Sequence, residues 1–158
     1  MRRRAFLSVA ATAPFLGLSL TSRADEVRNA LTESELIYLS PLKSNGDLSR
    51  CQAEVWYVMQ GPDALVCTAA DSWRAVAPAT GLTRTRLWAG DEGVWHNGRY
   101  RSLPSVLVDA SIEEDSGEIE TALLLFGDKY VAEWGTWGPR FRRGLADGSR
   151  VMLRYRLS

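Results

Sequence analysis

Residues 52–68 constrain this chain more than any other stretch. They hold two β-prone runs, Glu54-Val55-Trp56-Tyr57-Val58-Met59 and Ala64-Leu65-Val66-Cys67-Thr68, on either side of Gln60-Gly61-Pro62-Asp63. β-Branched and aromatic side chains suit a pleated surface. A Gly-Pro-Asp cluster does not continue a strand, so the segment predicts a hairpin. A turn centred on Pro62 and Asp63 would pair residues whose numbers sum to about 125. In the upstream strand Ala53, Val55, Tyr57 and Met59 share one face, and Glu54, Trp56 and Val58 the other. Large apolar groups on both faces predict a central strand, or one wrapped on both sides. Beyond the hairpin lies a polar corner, Ala70-Asp71-Ser72-Trp73-Arg74. It predicts a short helix over 72–79, capped by Asp71 or Ser72 and ended by Pro78. Such a corner can offer a hydroxyl, backbone N–H groups and a guanidinium to one phosphate.

The rest of the chain adds strands on either side. Residues 25–31 read as a short helical lead-in and 36–42 as the first strand. Ser44-Asn45-Gly46-Asp47 is a strong turn signal. Residues 84–89 and 106–112 read as strands, with a further hairpin expected across His96-Asn97-Gly98. Ile119, Ala122, Leu123 and Phe126 have helical spacing, and Gly127 is expected to end that helix. Residues 129–137 and 139–145 read as two short helices, with Pro139 at a permitted first-turn position. Residues 150–157 alternate, with Val151, Leu153, Tyr155 and Leu157 on the buried face. The order predicts a mainly β (α+β) protein: an antiparallel barrel with short helices, the C-terminal ones packed on the barrel.

A length of 158 residues suits one domain. Of 19 Lys and Arg, four (Arg2, Arg3, Arg4, Arg23) precede Asp25, which leaves 15 against 19 acidic residues in the remainder. That balance argues against strong nucleic-acid binding. Residues 1–24 read as a targeting segment: a basic start, an apolar run from Ala5 to Leu20, and Ser22-Arg23-Ala24 as a cleavage site. Arg3-Arg4-Ala5-Phe6-Leu7 resembles a twin-arginine signal. The expectation is an exported protein, periplasmic or secreted, that folds first and keeps no stable membrane segment after cleavage. Cys51 and Cys67 are read as unpaired thiols, because the hairpin register holds them far apart.

The element order, with Glu54-Val55-Trp56-Tyr57-Val58, the strand ending Val66-Cys67-Thr68 and the Ser72-Trp73-Arg74 corner, resembles the FMN-binding split barrel. That group includes the pyridoxamine 5′-phosphate oxidases and the deazaflavin-dependent nitroreductases. The resemblance implies that Thr68, Ser72 and Arg74 hold a flavin phosphate. Arg84 or Arg86 would add a second positive contact, and Trp73 would lie against the ring or at a dimer contact. The corner carries Arg where the oxidases usually carry Lys, and Gly81-Leu82-Thr83 stands where they commonly have Asn-Pro. The implied function is an FMN- or deazaflavin-dependent oxidoreductase working as a homodimer. The alternative is a binding module for haem, another small ligand or a protein partner, without turnover. Against the phosphate reading stand a helix cap at Ser72 and a solvated Arg74. Arg84 and Arg86 can instead pair with Glu54. Trp56, Trp73, Trp88 and Trp95 can line a flat cofactor or pack a core. His96, the single histidine, suits an exposed turn or an axial haem ligand, and a lone histidine makes no metal site.

Overall fold

A computed structural model describes residues 22–157; the twin-arginine segment lies outside these residues, except Ser22 to Ala24. Ser22 caps the first helix, α1 (Arg23–Glu33), in a reciprocal capping box with Asp25. Val27 and Leu31 face inward at 0% and 3% exposure. Thr32 and Glu33 end α1, and Ser34 and Glu35 lead into β1 (Leu36–Pro41). The Asn45-Gly46 turn follows as expected, with Gly46 at φ +85°, a conformation only glycine adopts cheaply.

The upstream strand of the predicted hairpin is two strands, β2 (Ala53–Trp56) and β3 (Val58–Gln60), broken at Tyr57. The break builds the architecture. Seven antiparallel strands run in the order β2-β1-β5-β6-β7-β4-β3. The added strands are β4 (Asp63–Ala69), β5 (Arg84–Ala89), β6 (Ser105–Glu113) and β7 (Arg150–Arg156). β2 pairs with β1 and β3 with β4, so the two edges of the sheet are consecutive halves of one stretch of chain. Passing through Tyr57, the chain itself closes the barrel. This explains apolar groups on both faces of the run: each half meets a different neighbour.

The hairpin is real but its register differs by two. Gln60 pairs with Asp63 and Val58 with Leu65, so the turn is Gly61-Pro62, with Gly61 at φ +62°. A two-residue turn takes glycine first because its left-handed backbone matches the strand twist. Cys51 and Cys67 are both free thiols.

The barrel interior is apolar. Ile37, Leu39, Val66, Leu87, Val108, Leu153 and Tyr155 meet Val27 and Leu31 of α1 there. Full burial of a side chain such as Leu31 contributes about 1.5–3 kcal/mol. A second core lies outside the sheet, under α3 (Ser116–Lys129) and α4 (Val131–Asp147). Ala122, Leu123 and Phe126 form the buried face of α3, as their spacing predicted. Met152 of β7 is also buried there, so β7 is covered on both faces over part of its length.

Two helix expectations are corrected. Gly127 does not end α3, and residues 131–147 form one helix with Pro139 inside it. Trp134 accounts for the first. Its indole lies in the α3–α4 crossing, where a Cβ at Gly127 would meet Nε1 at 2.8 Å and one at Gly138 would meet Cε2 at 2.9 Å. The glycines make room for a ring that stacks on Phe126 at 6.0 Å. Pro139 only removes the hydrogen bond to Gly135, and tertiary packing of Phe141 on Phe126 and Trp134 holds the helix through it.

The expected hairpin across His96 is instead a pair of short 3-10 turns, Trp95–Asn97 and Arg99–Ser102. They place Tyr100 on Tyr38, rings stacked at 4.8 Å, with Trp88 edge-on at 5.1 Å.

Candidate functional site

β4 delivers Thr68 to the head of α2 (Trp73–Ala79), whose cap residue is Ser72. The Ser72 hydroxyl does not cap the helix; it donates to the Ala69 carbonyl at 2.7 Å and lies 3.4 Å from Thr68 Oγ1. Arg74, in the first turn, reaches back over β4. Its Nη2 donates to Thr68 Oγ1 at 3.2 Å and its Nη1 approaches Cys51 Sγ at 3.6 Å. Its Nε is buried without a partner. Thr68, Ser72 and Arg74 are therefore brought together, and Arg74 is half-buried and has no ion-pair partner among the described residues.

Thr68 and Arg74 edge a hollow of about 450 Å³, and Ser72 stands behind Thr68, outside the lining. β2 supplies Trp56, α4 supplies Trp137 and Phe141, and β7 supplies Arg150. Arg150 sits opposite Ala69 in the β4–β7 register, with its guanidinium 5.3 Å from the Phe141 ring centre. Trp56 is held flat on Tyr130 at 4.3 Å and meets Trp137 edge-on at 6.0 Å. The hollow thus has two guanidiniums, a hydroxyl floor and an aromatic wall. Its lining contains no carboxylate and no histidine. Cys67 is no nucleophile there: burial pushes its thiol up to about 12, and the Arg150 guanidinium recovers only part of that.

Trp73, Arg84 and Arg86 do not join this hollow. Trp73 is 38% exposed and lines another with Cys51 and Lys43. Arg84 is exposed beside Leu42 and Gly81, and Arg86 lies between Ser40 and Leu107 on the sheet. Neither pairs with Glu54, whose carboxylate accepts the Trp95 N–H at 3.0 Å. Of the four tryptophans read as a wall, only Trp56 lines this hollow, while Trp88 packs in the Tyr38–Tyr100 core. His96 is exposed and stacked on Trp95 at 3.9 Å. No group of three His, Cys, Asp or Glu able to hold a metal occurs among the described residues.

Sequence reasoning missed Arg150, Trp137 and Phe141. A faint signal existed: Trp137 and Phe141 are four apart, the spacing of one helix face. Their reach to β4 depends on the long-range β4–β7 pairing.

The phenols around the site and core have a pH consequence. Burial raises Tyr57, Tyr130 and Tyr155 above their ordinary range, and Cys67 likewise. Above about pH 9 the unfolded chain releases these protons first, while the folded chain keeps them, so folding stability falls with rising pH. Thermal unfolding across pH 8–11 should show a steep loss above pH 9–10; a flat profile would contradict the burial of these groups.

No family model matches the sequence, and no curated protein matches it. Solved structures share the fold. HutZ, a haem storage protein from Vibrio cholerae, is 14% identical over 83% of this chain and 87% of that one, with a TM-score of 0.55. A haem-binding protein from Mycobacterium smegmatis is 16% identical over 85% of this chain but only 50% of its own length, with a TM-score of 0.55. A candidate pyridoxamine 5′-phosphate oxidase from Listeria innocua is 12% identical over 85% of this chain and 92% of that one, with a TM-score of 0.53. At these identities the likeness establishes the split-barrel fold alone.

Proposed function

We propose that this split barrel binds a small aromatic cofactor carrying an anionic group, of the flavin mononucleotide or deazaflavin class, in the hollow at Thr68, Ser72 and Arg74. The observation that carries the reading is Arg74. A guanidinium with a buried, unpartnered Nε and no carboxylate within 4.0 Å among the described residues is costly to fold, and a phosphate would supply the missing acceptors. The residues fit such a group. Arg74 and Arg150 would hold the anion with the Thr68 hydroxyl as a further donor, and Ser72, once its hydroxyl turned from the Ala69 carbonyl, would add another. Trp56 and Trp137 offer flat surfaces to a ring, and the volume falls within the range of ligand pockets. When bound, such a cofactor supplies hydride or electron transfer. The chain's residues bind, orient and keep water from the ring; none in the lining is placed to move a proton. The oxidoreductase reading therefore rests on the cofactor's own chemistry. Export with the cofactor already in place, as a homodimer, completes this reading; its support is the Arg3-Arg4 leader pattern and the split-barrel resemblance.

Haem is the second reading, favoured by the two haem proteins of the same fold. Its propionates would suit the same two arginines. Its axial ligand would not be His96, which stands exposed on Trp95 away from the hollow.

The test is the visible spectrum of the protein as purified, followed by titration with FMN and with haemin. Arg74→Ala should weaken FMN binding at least tenfold, about 1.4 kcal/mol or more, with the melting temperature retained. Unchanged affinity in Arg74→Ala would remove the phosphate assignment, and a Soret band with no flavin uptake would select haem.

A further inference from the structure

A second hollow, of about 400 Å³, lies apart from the cofactor pocket. Leu31 and Thr32 at the end of α1 form one side, Val58 and Met59 of β3 another, and Leu125 of α3 a third. Its one cation is Lys129, at the end of α3. The Lys129 ammonium lies 3.5 Å from the centre of the Tyr57 ring and 5.4 Å from that of Tyr130. No carboxylate approaches it within 4.0 Å among the described residues. The charged groups around it are Glu35 after α1, Asp91 after β5 and Asp128 beside it on α3. Lys129 is nevertheless an exposed residue, so solutes can reach it.

We propose that this hollow captures small apolar aldehydes by forming an imine on Lys129. The Lys129 Nζ lone pair attacks the carbonyl carbon and a C–N bond forms. The resulting carbinolamine expels its hydroxyl with the remaining amine proton as water, leaving C=N. One amine and one aldehyde give one imine and one water, with no oxidant or reductant. Asp128 stands in the same wall to carry the proton to the departing hydroxyl. Leu31, Val58, Met59 and Leu125 would hold the aldehyde's chain. Partial desolvation of the ammonium supports the chemistry: it brings the Lys129 pKa down to about 8, although Asp91, Glu35 and the face of the Tyr57 ring pull the other way. The inference does not depend on the cofactor reading.

The chain carries its own control. Lys43 and Lys129 are its only lysines, and Lys43 is exposed, 3.9 Å from the Asp47 carboxylate. The full chain would be treated briefly with hexanal and cyanoborohydride at pH 7.5, and adducts mapped by peptide mass. At that pH roughly a quarter of an amine titrating near 8 is free, against about 0.1% of an ordinary lysine. Lower basicity gives back part of that advantage, so Lys129 should react at least about tenfold faster than Lys43. Glyceraldehyde, which is polar, should cut the Lys129-to-Lys43 ratio at least fivefold. Lys129→Arg should lose the fast adduct and leave the Lys43 rate unchanged. Equal rates at the two lysines overturn the proposal. So does fast labelling of Lys129 with no preference for hexanal, which would mark a reactive amine without a binding hollow.

Discussion

Arg154→Ala is expected to destabilise the fold by about 3 kcal/mol, a fall in melting temperature of roughly 6–12 °C. Arg154 lies on β7 with its side chain 13% exposed, and it gathers three carboxylates. Its Nη1 meets Asp63 of β4 at 3.2 Å, its Nε meets Glu113 of β6 at 2.6 Å, and its Nη2 meets Glu118 of α3 at 2.8 Å. Asp63 and Glu113 are 17% and 13% exposed, so removing the guanidinium leaves two enclosed carboxylates facing each other. Glu118 is half exposed and keeps the Gln60 amide at 2.7 Å, so its share of the loss is small. The pH dependence separates this from simple loss of packing. Burial alone would raise Glu113, but the Asp115 N–H and the Arg154 guanidinium outweigh it and hold the carboxyl below its usual range. That stability is present above the unfolded pKa and is lost as pH falls through the lower folded pKa. In Arg154→Ala the guanidinium's share is lost and Glu113 rises relative to the parent, so the variant binds its proton earlier. The gap between the two proteins should then narrow from pH 7 to pH 4 in urea titrations. A gap of equal size at both pH values would mean that packing by the arginine stem carries the effect.

The same network shows what could be read from the chain. The acidic run Glu113-Glu114-Asp115 followed by Glu118 looks like a solvated helix start. Asp115 does cap α3, accepting from the N–H groups of Gly117 and Glu118. Glu113 and Glu118, however, are claimed by an arginine about forty residues downstream, and nothing local announces it. Elements set by nearby residues were legible: the Gly61 hairpin, the Asn45-Gly46 turn, β5 and the apolar face of α3. Elements set by distant partners were not. Gly127 reads as a helix end until Trp134 fills the space beside it. Residues 95–102 read as a hairpin until Tyr100 is drawn onto Tyr38.

The candidate site divides in the same way. Thr68, Ser72 and Arg74 lie within seven residues of one another, and a strand followed by a short helix is enough to bring them together. Arg150, Trp137 and Phe141 complete the hollow only because β7 pairs with β4 and α4 lies over that pair. Arg84 and Arg86 have the right charge on a neighbouring strand in sequence, but β5 lies between β1 and β6, three strands from β4. Sequence adjacency of strands stood in for spatial adjacency, and the barrel order breaks that equivalence.

Tyr130→Phe tests the closure of the barrel, and we expect it to cost about 3 kcal/mol, close to the arginine variant. At Tyr57 the chain leaves one edge of the sheet and joins the other, so its peptide groups have no ladder partner. Tyr130, at the α3–α4 junction, replaces the ladder. Its hydroxyl accepts the Tyr57 N–H at 3.0 Å and lies 2.9 Å from the Tyr57 carbonyl and 2.7 Å from that of Glu35. Phenylalanine keeps the stacking on Trp56 and Phe126 but strands a buried donor and weakens two acceptors. The loss should be local before it is global. Amides in the β5–β6 ladder should quicken only by as much as global stability falls, while the Tyr57 amide should exchange about 100-fold faster than that global loss accounts for. Because Trp56 is both the residue before the break and a wall of the hollow at Thr68 and Arg74, the same variant should also weaken the ligand binding proposed there without touching the arginines. Uniform acceleration across all strands would show instead that the barrel opens only as a whole, and that Tyr130 is an ordinary core residue rather than the pin that closes it.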